Sequence, residues 1–121
     1  MIVDKCRNLE ELKELYKLCD NERLATLENI LNLPTHCCFY DDKNKLVGLI
    51  YLEDEDGKVM LSGFGRRKSY NLIVEAIQHI LWCNPELDIY SRTDKLSARY
   101  ALRKAGFKKL DDELYIRKAV A

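Results

Sequence analysis

Three apolar segments dominate the middle of the chain: THCCFY (35–40), LVGLIYL (46–52) and KVMLSGF (58–64). Their links, DDKNK and EDEDG, have five residues each. A parallel connection needs a crossover of a dozen or more residues, so the three segments must run as an antiparallel meander. LVGLIYL is apolar without alternation, the pattern of a strand buried on both faces. Helices must therefore cover both sides of the sheet. Gly57, in the second link, is free to take a positive φ.

The remaining segments supply those helices. IVDKC (2–6) reads as a first strand. Asn8 with Glu11 has capping-box spacing, and Leu9, Leu12, Leu15, Tyr16 and Cys19 follow at helical spacing. Asp20 or Asn21 is expected to cap a second helix whose apolar face is Leu24, Leu27, Ile30 and Leu31. That helix ends before Pro34, which disfavours helix at the residue before it. After the meander, Leu72, Ile73, Ala76, Ile77, Ile80 and Leu81 form one helical face. Trp82 and these faces are expected to be core. NPEL stops this helix and DIYS (88–91) is a short strand. Ala98, Ala101, Leu102 and Ala105 repeat at helical spacing, with Gly106 as the C′ residue. FKKL and ELYIRK are the last strands. The order β-α-α-β-β-β-α-β-α-β-β predicts one mixed α/β domain over residues 1–121, because a chain of 121 residues supports one core.

Charge and composition exclude several functions. Twenty basic and twenty acidic residues cancel, so no global field favours nucleic acid, although GRRK (65–68) and GFKK (106–109) are locally basic. No apolar run approaches the roughly 20 residues of a membrane span. The N-terminus lacks the apolar core of a secretion signal. Five cysteines without framework spacing read as reduced thiols and a cytoplasmic setting. His79 with Cys83, and His36 with Cys38, lack zinc-knuckle spacing, so no metal site is expected. No cysteine sits at an electropositive helix start, where a nucleophilic thiolate is favoured.

GFGRRKSYN (63–71) lies between a strand and the strongest helix. Phosphates are held at such junctions by backbone N–H groups and the helix N-terminus. The same residues also read as an RNA contact or a solvated turn. Nucleic acid recognition wants aromatics interleaved with the basic residues, whereas Phe64 is assigned to the core and Tyr70 to packing at the helix start.

The element order, together with AxxxLxxxGF at Ala98, Leu102, Gly106 and Phe107, resembles the Gcn5-related N-acetyltransferase (GNAT) superfamily over nearly the whole chain. The corresponding family segment reads roughly Asn-x-x-Ala-x-x-x-Tyr-x-x-x-Gly-Phe. The family's acetyl-CoA loop resembles Gln/Arg-x-x-Gly-x-Gly/Ala. Here Arg66 takes its first position, Ser69 the first glycine and Asn71 the last small residue. The chain also resembles compact acetyltransferase-like proteins encoded by bacteriophages.

The resemblance implies acetyl-CoA as cosubstrate. It would be held by Arg66, Arg67, Lys68, Ser69, Tyr70 and Asn71 at the pyrophosphate, by the backbone of Leu61 and Gly63 at the acetyl group, and by Lys95 and Ala98 beside the arm. Ser69 would add a hydroxyl donor to the phosphate. The pantetheine of family members enters beside the strand that here carries Tyr90 and Ser91, whose other reading is a strand end facing solvent. The acceptor would be an amine of a small molecule or a protein, and a homodimer is a family habit. Two departures matter. The family's Asn falls on Lys95, and its general-acid Tyr falls on Leu102, which cannot donate a proton. Tyr100 is about 200° away round the helix. The acidic candidates for a base are Glu53 and Asp54, which also read as an ordinary acidic turn. Glu53 and Tyr90 are the weak catalytic candidates. Two functions stay open: an acyl-CoA-dependent N-acetyltransferase, or a catalytically inactive GNAT-fold module that acts through protein contacts.

Overall fold

The computed structural model describes residues 1–19, 24–67 and 69–120. The elements occur in the expected order: β1 (Ile2–Val3), α1 (Leu9–Cys19), α2 (Leu27–Asn32), β2 (His36–Tyr40), β3 (Leu46–Glu55), β4 (Lys58–Gly65), α3 (Tyr70–Cys83), β5 (Ile89–Arg92), α4 (Leu96–Lys104), β6 (Lys108–Lys109) and β7 (Leu114–Arg117). The strands form one sheet in the order β1-β2-β3-β4-β5-β7-β6. Its described pairs are antiparallel except β4–β5.

Alternation along the central strands splits the core into two layers. Val47, Ile50 and Leu52 of β3 pack with Ile77, Ile80 and Leu102 on the α3/α4 face. Leu46, Leu49 and Tyr51 pack with Leu12, Leu15 and Ile30 on the α1/α2 face. β3 is buried from Leu46 to Leu52, as an apolar strand covered on both sides must be.

Local chemistry sets the element boundaries. Asn8 Oδ1 accepts the N–H groups of Glu10 and Glu11 at 3.0 and 3.2 Å. The reciprocal half of the expected capping box is absent: Glu11 Oε2 accepts Leu46 N–H at 3.2 Å instead and ties α1 to the start of β3. The second helix is shorter than expected. It starts at Leu27, with Thr26 as N-cap accepting Asn29 N–H. Ala25 is held outside it, because its C=O accepts Tyr16 Oη at 2.7 Å and its N–H donates to Tyr51 Oη at 3.3 Å. The expected caps, Asp20 and Asn21, lie outside the described residues. The first strand shrinks from IVDKC to Ile2–Val3.

The second hairpin turns on Asp56 and Gly57 alone, both at positive φ (52° and 81°), the two-residue turn whose twist matches the strands. Glu53 and Asp54 are therefore strand residues rather than turn residues. α4 ends as expected: Gly106, at φ 107°, donates to Arg103 O, and Phe107 N–H donates to Leu102 O at 2.9 Å, a Schellman closure. Trp82 is a correction. It is 80% exposed, because it sits about 140° round α3 from the buried Ile77.

Candidate functional site: a cleft where two parallel strands part

Backbone hydrogen bonding defines the site. Glu55 and Lys58 flank the tight turn, so they form a hydrogen-bonded pair and the pairs alternate from there. The far end agrees, with Arg66 N–H donating to Val47 O at 2.8 Å. By this alternation the peptide groups of Leu61, Gly63 and Gly65 point away from β3, toward β5. Yet β5 meets β4 only at Val59↔Ile89 and Met60↔Tyr90. Beyond those pairs the strands part. Ser91 Oγ donates to Leu61 O at 2.9 Å where the ladder ends, and Cys19 Sγ donates to Gly65 O at 3.3 Å. The peptide groups of Gly63 and the N–H of Gly65 face the gap without a strand partner. Gly63 presents no side chain to obstruct it.

A cleft of about 540 Å³ occupies the gap. Its lining carries Arg66, Arg67 and Lys95, with Asp94 as the one carboxylate among the described lining residues, and Arg92, which is ion-paired with Glu55 at 3.5 Å. Its inner end is bounded by Ile50, Leu61, Ile77, Ala101 and Leu102. A second cleft of about 480 Å³ opens toward α1, between Leu15, Leu18, Cys19 and Phe64, and shares Gly63, Gly65, Arg66, Arg67 and Lys95 with the first. The end of β4 is thus reached from both sides of the sheet. Burial raises the Cys19 thiol above its ordinary range, and Arg66 opposes that shift.

The junction with α3 is arranged for an anion. Ser69 is the N-cap residue, but its side chain caps no helical N–H. Its hydroxyl donates back to Arg66 O and closes the basic turn. The expected phosphate donor at Ser69 is therefore already committed. The first turn of α3 contains no acidic residue, so nothing in that turn offsets the positive end of its dipole. Arg66 is half-buried, with Nε donating to Leu46 O at 3.0 Å, and it lines both clefts.

Most of the expected cofactor residues converge. Leu61, Gly63, Arg66, Arg67, Ser69, Tyr70, Lys95 and Ala98 all line the first cleft. Tyr70 Oη donates to Tyr100 O at 3.3 Å and bridges α3 to α4. Asn71 is exposed and outside the lining. Lys68 lies outside the described residues. Lys95 is the N-cap of α4.

The catalytic candidates fare differently. Glu53 lies on the α1/α2 face and pairs with Met60, three residues from Gly63, or about 10 Å along the strand. Burial and then Glu55 raise its carboxyl above the ordinary range. Tyr90 lies outside both clefts, with Lys58 Nζ 5.8 Å from its ring centre. Tyr100 is exposed, and Leu102 is buried in the cleft wall. Sequence reading missed Cys19, Phe39 and Ile50 as lining residues. In the structure the latter two lie on the α3/α4 face, and only the parting of β4 and β5 opens that face to a cleft.

A seven-stranded sheet with this helix order and a parting between its fourth and fifth strands is the GNAT acetyltransferase fold. A GNAT-family acetyltransferase from Staphylococcus aureus Mu50 matches over 99% of both chains, with a TM-score of 0.67 and 25% identity. The GNAT N-acetyltransferase YhbS from Escherichia coli, in complex with CoA, matches 99% of this chain and 81% of its own length, with a TM-score of 0.66 and 13% identity. A mutant of the spermidine N-acetyltransferase SpeG from Vibrio cholerae matches 92% of this chain and 73% of its own, with a TM-score of 0.50 and 14% identity. None of these proteins bears on the phage resemblance. No family model matches the chain, and no curated protein matches it.

Proposed function

We propose that the chain is an acyl-CoA-dependent N-acyltransferase that transfers an acetyl group from acetyl-CoA to a primary amine of a small molecule or a protein. The reading rests on one observation above the rest. The peptide groups of Gly63 and the N–H of Gly65, which have no strand partner, line a gap whose mouth is cationic and whose neighbour is the uncapped start of α3. Those features suit a chain of amides that ends in a pyrophosphate. The end-to-end likeness to a GNAT acetyltransferase supports the same reading.

Bound acyl-CoA supplies a thioester: the amine forms the new C–N bond, and the C–S bond breaks to release CoA. Arg66, Arg67 and the first N–H groups of α3 hold the phosphates. Gly63 N–H meets the negative charge that develops on the carbonyl oxygen. Leu102 gives no proton, so solvent takes the proton that the amine nitrogen releases and returns one to the departing thiolate. With a thiol pKa near about 8.5, that thiolate needs little help to leave. Glu53 is too far for direct proton abstraction and acts, if at all, through water. The second cleft brings the amine to the opposite side of the same strand end. One observation favours a non-catalytic module instead, the aliphatic Leu102 at the cleft-wall position where the resembling family carries its general acid.

Calorimetric titration with CoA tests the reading. Binding is expected, and Arg66→Ala/Arg67→Ala is expected to weaken it by roughly tenfold to a hundredfold, because charge-assisted contacts are lost. No binding at millimolar CoA contradicts it.

A further inference from the structure

We infer that the exposed face of α4 docks an acidic carrier protein that hands an acyl thioester into the first cleft on a phosphopantetheine arm, an inference that rests on the acyl-CoA reading above. Residues 95–110 hold six cations and no carboxylate. One of the six, Arg99, is half-buried, and its Nη2 donates to Asp112 O at 3.5 Å. The other five, Lys95, Arg103, Lys104, Lys108 and Lys109, are exposed. Among the described residues, none of these five side chains makes an ion pair or a hydrogen bond. The nearest carboxylates in sequence flank the stretch, Asp94 before it and Asp111, Asp112 and Glu113 after it. Helix α1 shows the contrast. Its exposed Glu10, Lys13, Glu14 and Lys17 mix both signs, and Lys13 pairs with Glu10 at 3.5 Å.

Apolar surface runs along the same face. Leu96 and Tyr100 are 65% and 56% exposed. With Arg103 and Lys104 they fall at i, i+4, i+7 and i+8, so the four form one stripe. An exposed apolar residue alone needs no partner, but a contiguous apolar and cationic stripe marks an interaction surface. This stripe adjoins the cleft mouth. Lys95, Ser97 and Ala98 line the first cleft, and Tyr70, in the same lining, donates its Oη to Tyr100 O at 3.3 Å. A partner seated on α4 therefore lies beside the entrance, where it can pass a tethered group inward. Charge complementarity makes that partner acidic. The arm of a carrier protein has the same phosphate, amides and thioester as the arm of CoA, so the cleft groups that hold one can hold the other. The amine nitrogen attacks the thioester carbon, the C–N bond forms and the C–S bond breaks. The electron pair stays on the sulfur of the arm, which takes a proton from solvent, and the proton of the amine goes to solvent.

Calorimetric titrations with CoA and with purified acyl carrier protein test the inference, the carrier taken in its apo form and in its holo form with the phosphopantetheine arm. The holo carrier is expected to bind in the micromolar range and roughly tenfold or more tighter than the apo form, because the tethered arm adds contacts in the cleft. Raising salt from about 50 to about 500 mM is expected to weaken it, since the docking charges are exposed. Arg103→Glu/Lys104→Glu is expected to weaken the holo carrier by about tenfold or more and to leave the affinity for CoA unchanged. Tyr100→Ala removes the aromatic contact, is expected to do the same, and serves if the double variant melts too low to titrate. A protein that binds CoA but not the holo carrier overturns the docking face and leaves the acyl-CoA reading intact. Equal affinity for the apo and holo forms overturns the delivery of the arm. Carrier binding that survives in both folded variants places the carrier elsewhere and also overturns it. Anionic vesicles or a single-stranded oligonucleotide held through Arg103 and Lys104, with no holo-carrier binding, give the face to that partner and overturn it as well. Failure to bind either CoA or the holo carrier removes the acyl-CoA reading itself, and the docking face with it.

Discussion

Ser91 shows how one hydroxyl holds the site open. Its Oγ takes Leu61 O at the point where β5 leaves β4, and the residue is buried. Ser91→Ala leaves that carbonyl unsatisfied and is expected to cost about 1–3 kcal/mol in urea unfolding. An unchanged midpoint would mean that β5 closes onto β4 once the hydroxyl is gone. Ser69 is a residue whose hydrogen-bond partner sequence reading did not find. A serine before a helix reads as a cap or a phosphate donor, but its hydroxyl bonds to Arg66 O across the turn. Nothing in the spelling RRKSYN distinguishes these, because the choice depends on how the turn folds back. Leu102, by contrast, was legible at once, since an aliphatic residue has no proton to give wherever it sits.

At the scale of elements, β4 is constrained from both edges. A Cβ at Gly63 would lie 2.6 Å from Leu49 O and 2.7 Å from Ile50 Cγ2, so the strand must shift to admit any side chain. Gly63→Ala is expected to destabilise the fold by about 1–3 kcal/mol and to weaken CoA binding. A stable variant with unchanged CoA affinity would show that this peptide does not face the ligand.

Strand β2 gives a pH dependence. Burial pushes the Cys37 thiol from 9.0 up to about 12 and the Tyr40 hydroxyl from 10.0 to about 12. The folded chain keeps protons that the unfolded chain releases. Stability from these groups is therefore complete below about pH 9 and falls as pH rises toward 12. The melting temperature is expected to drop between about pH 9 and pH 11, with a shallower slope for Cys37→Ala. A flat profile over that range would contradict the burial of these groups.

Element type and order were legible for two reasons: the α3 face has a clear helical period, and LVGLIYL, which has no period, is a seven-residue run rich in β-formers between two turn segments, too short for a helix. The second helix was misjudged because Tyr16 and Tyr51, distant in sequence, pin Ala25 outside it. Trp82 was misjudged because an apolar residue next to a buried face was assigned to that face, although 100° per residue carries it out to solvent.

At the scale of the molecule, zero net charge hid a local arrangement. Twenty cations and twenty anions cancel over the chain, yet Arg66, Arg67 and Lys95 line one cleft with Asp94, while Arg92 in the same lining is ion-paired with Glu55. Composition cannot show this, because only the fold brings Lys95 of α4 to the same cleft as Arg66 and Arg67. The short links around β3 already implied the meander, and the parallel pair β4–β5 then creates an opening at the carboxyl ends of these two strands. Ligands commonly bind at such openings in α/β sheets. The central claim is that an acyl-CoA enters between these two strands. The most direct test is a backbone-amide NMR titration of the 14.2 kDa protein with CoA. The account predicts the largest shifts at the amides of Gly63, Gly65, Tyr70 and Asn71, with Ser91 following. Saturating CoA that leaves these amides unmoved, or moves those around Trp82 or the β6–β7 hairpin instead, would contradict it.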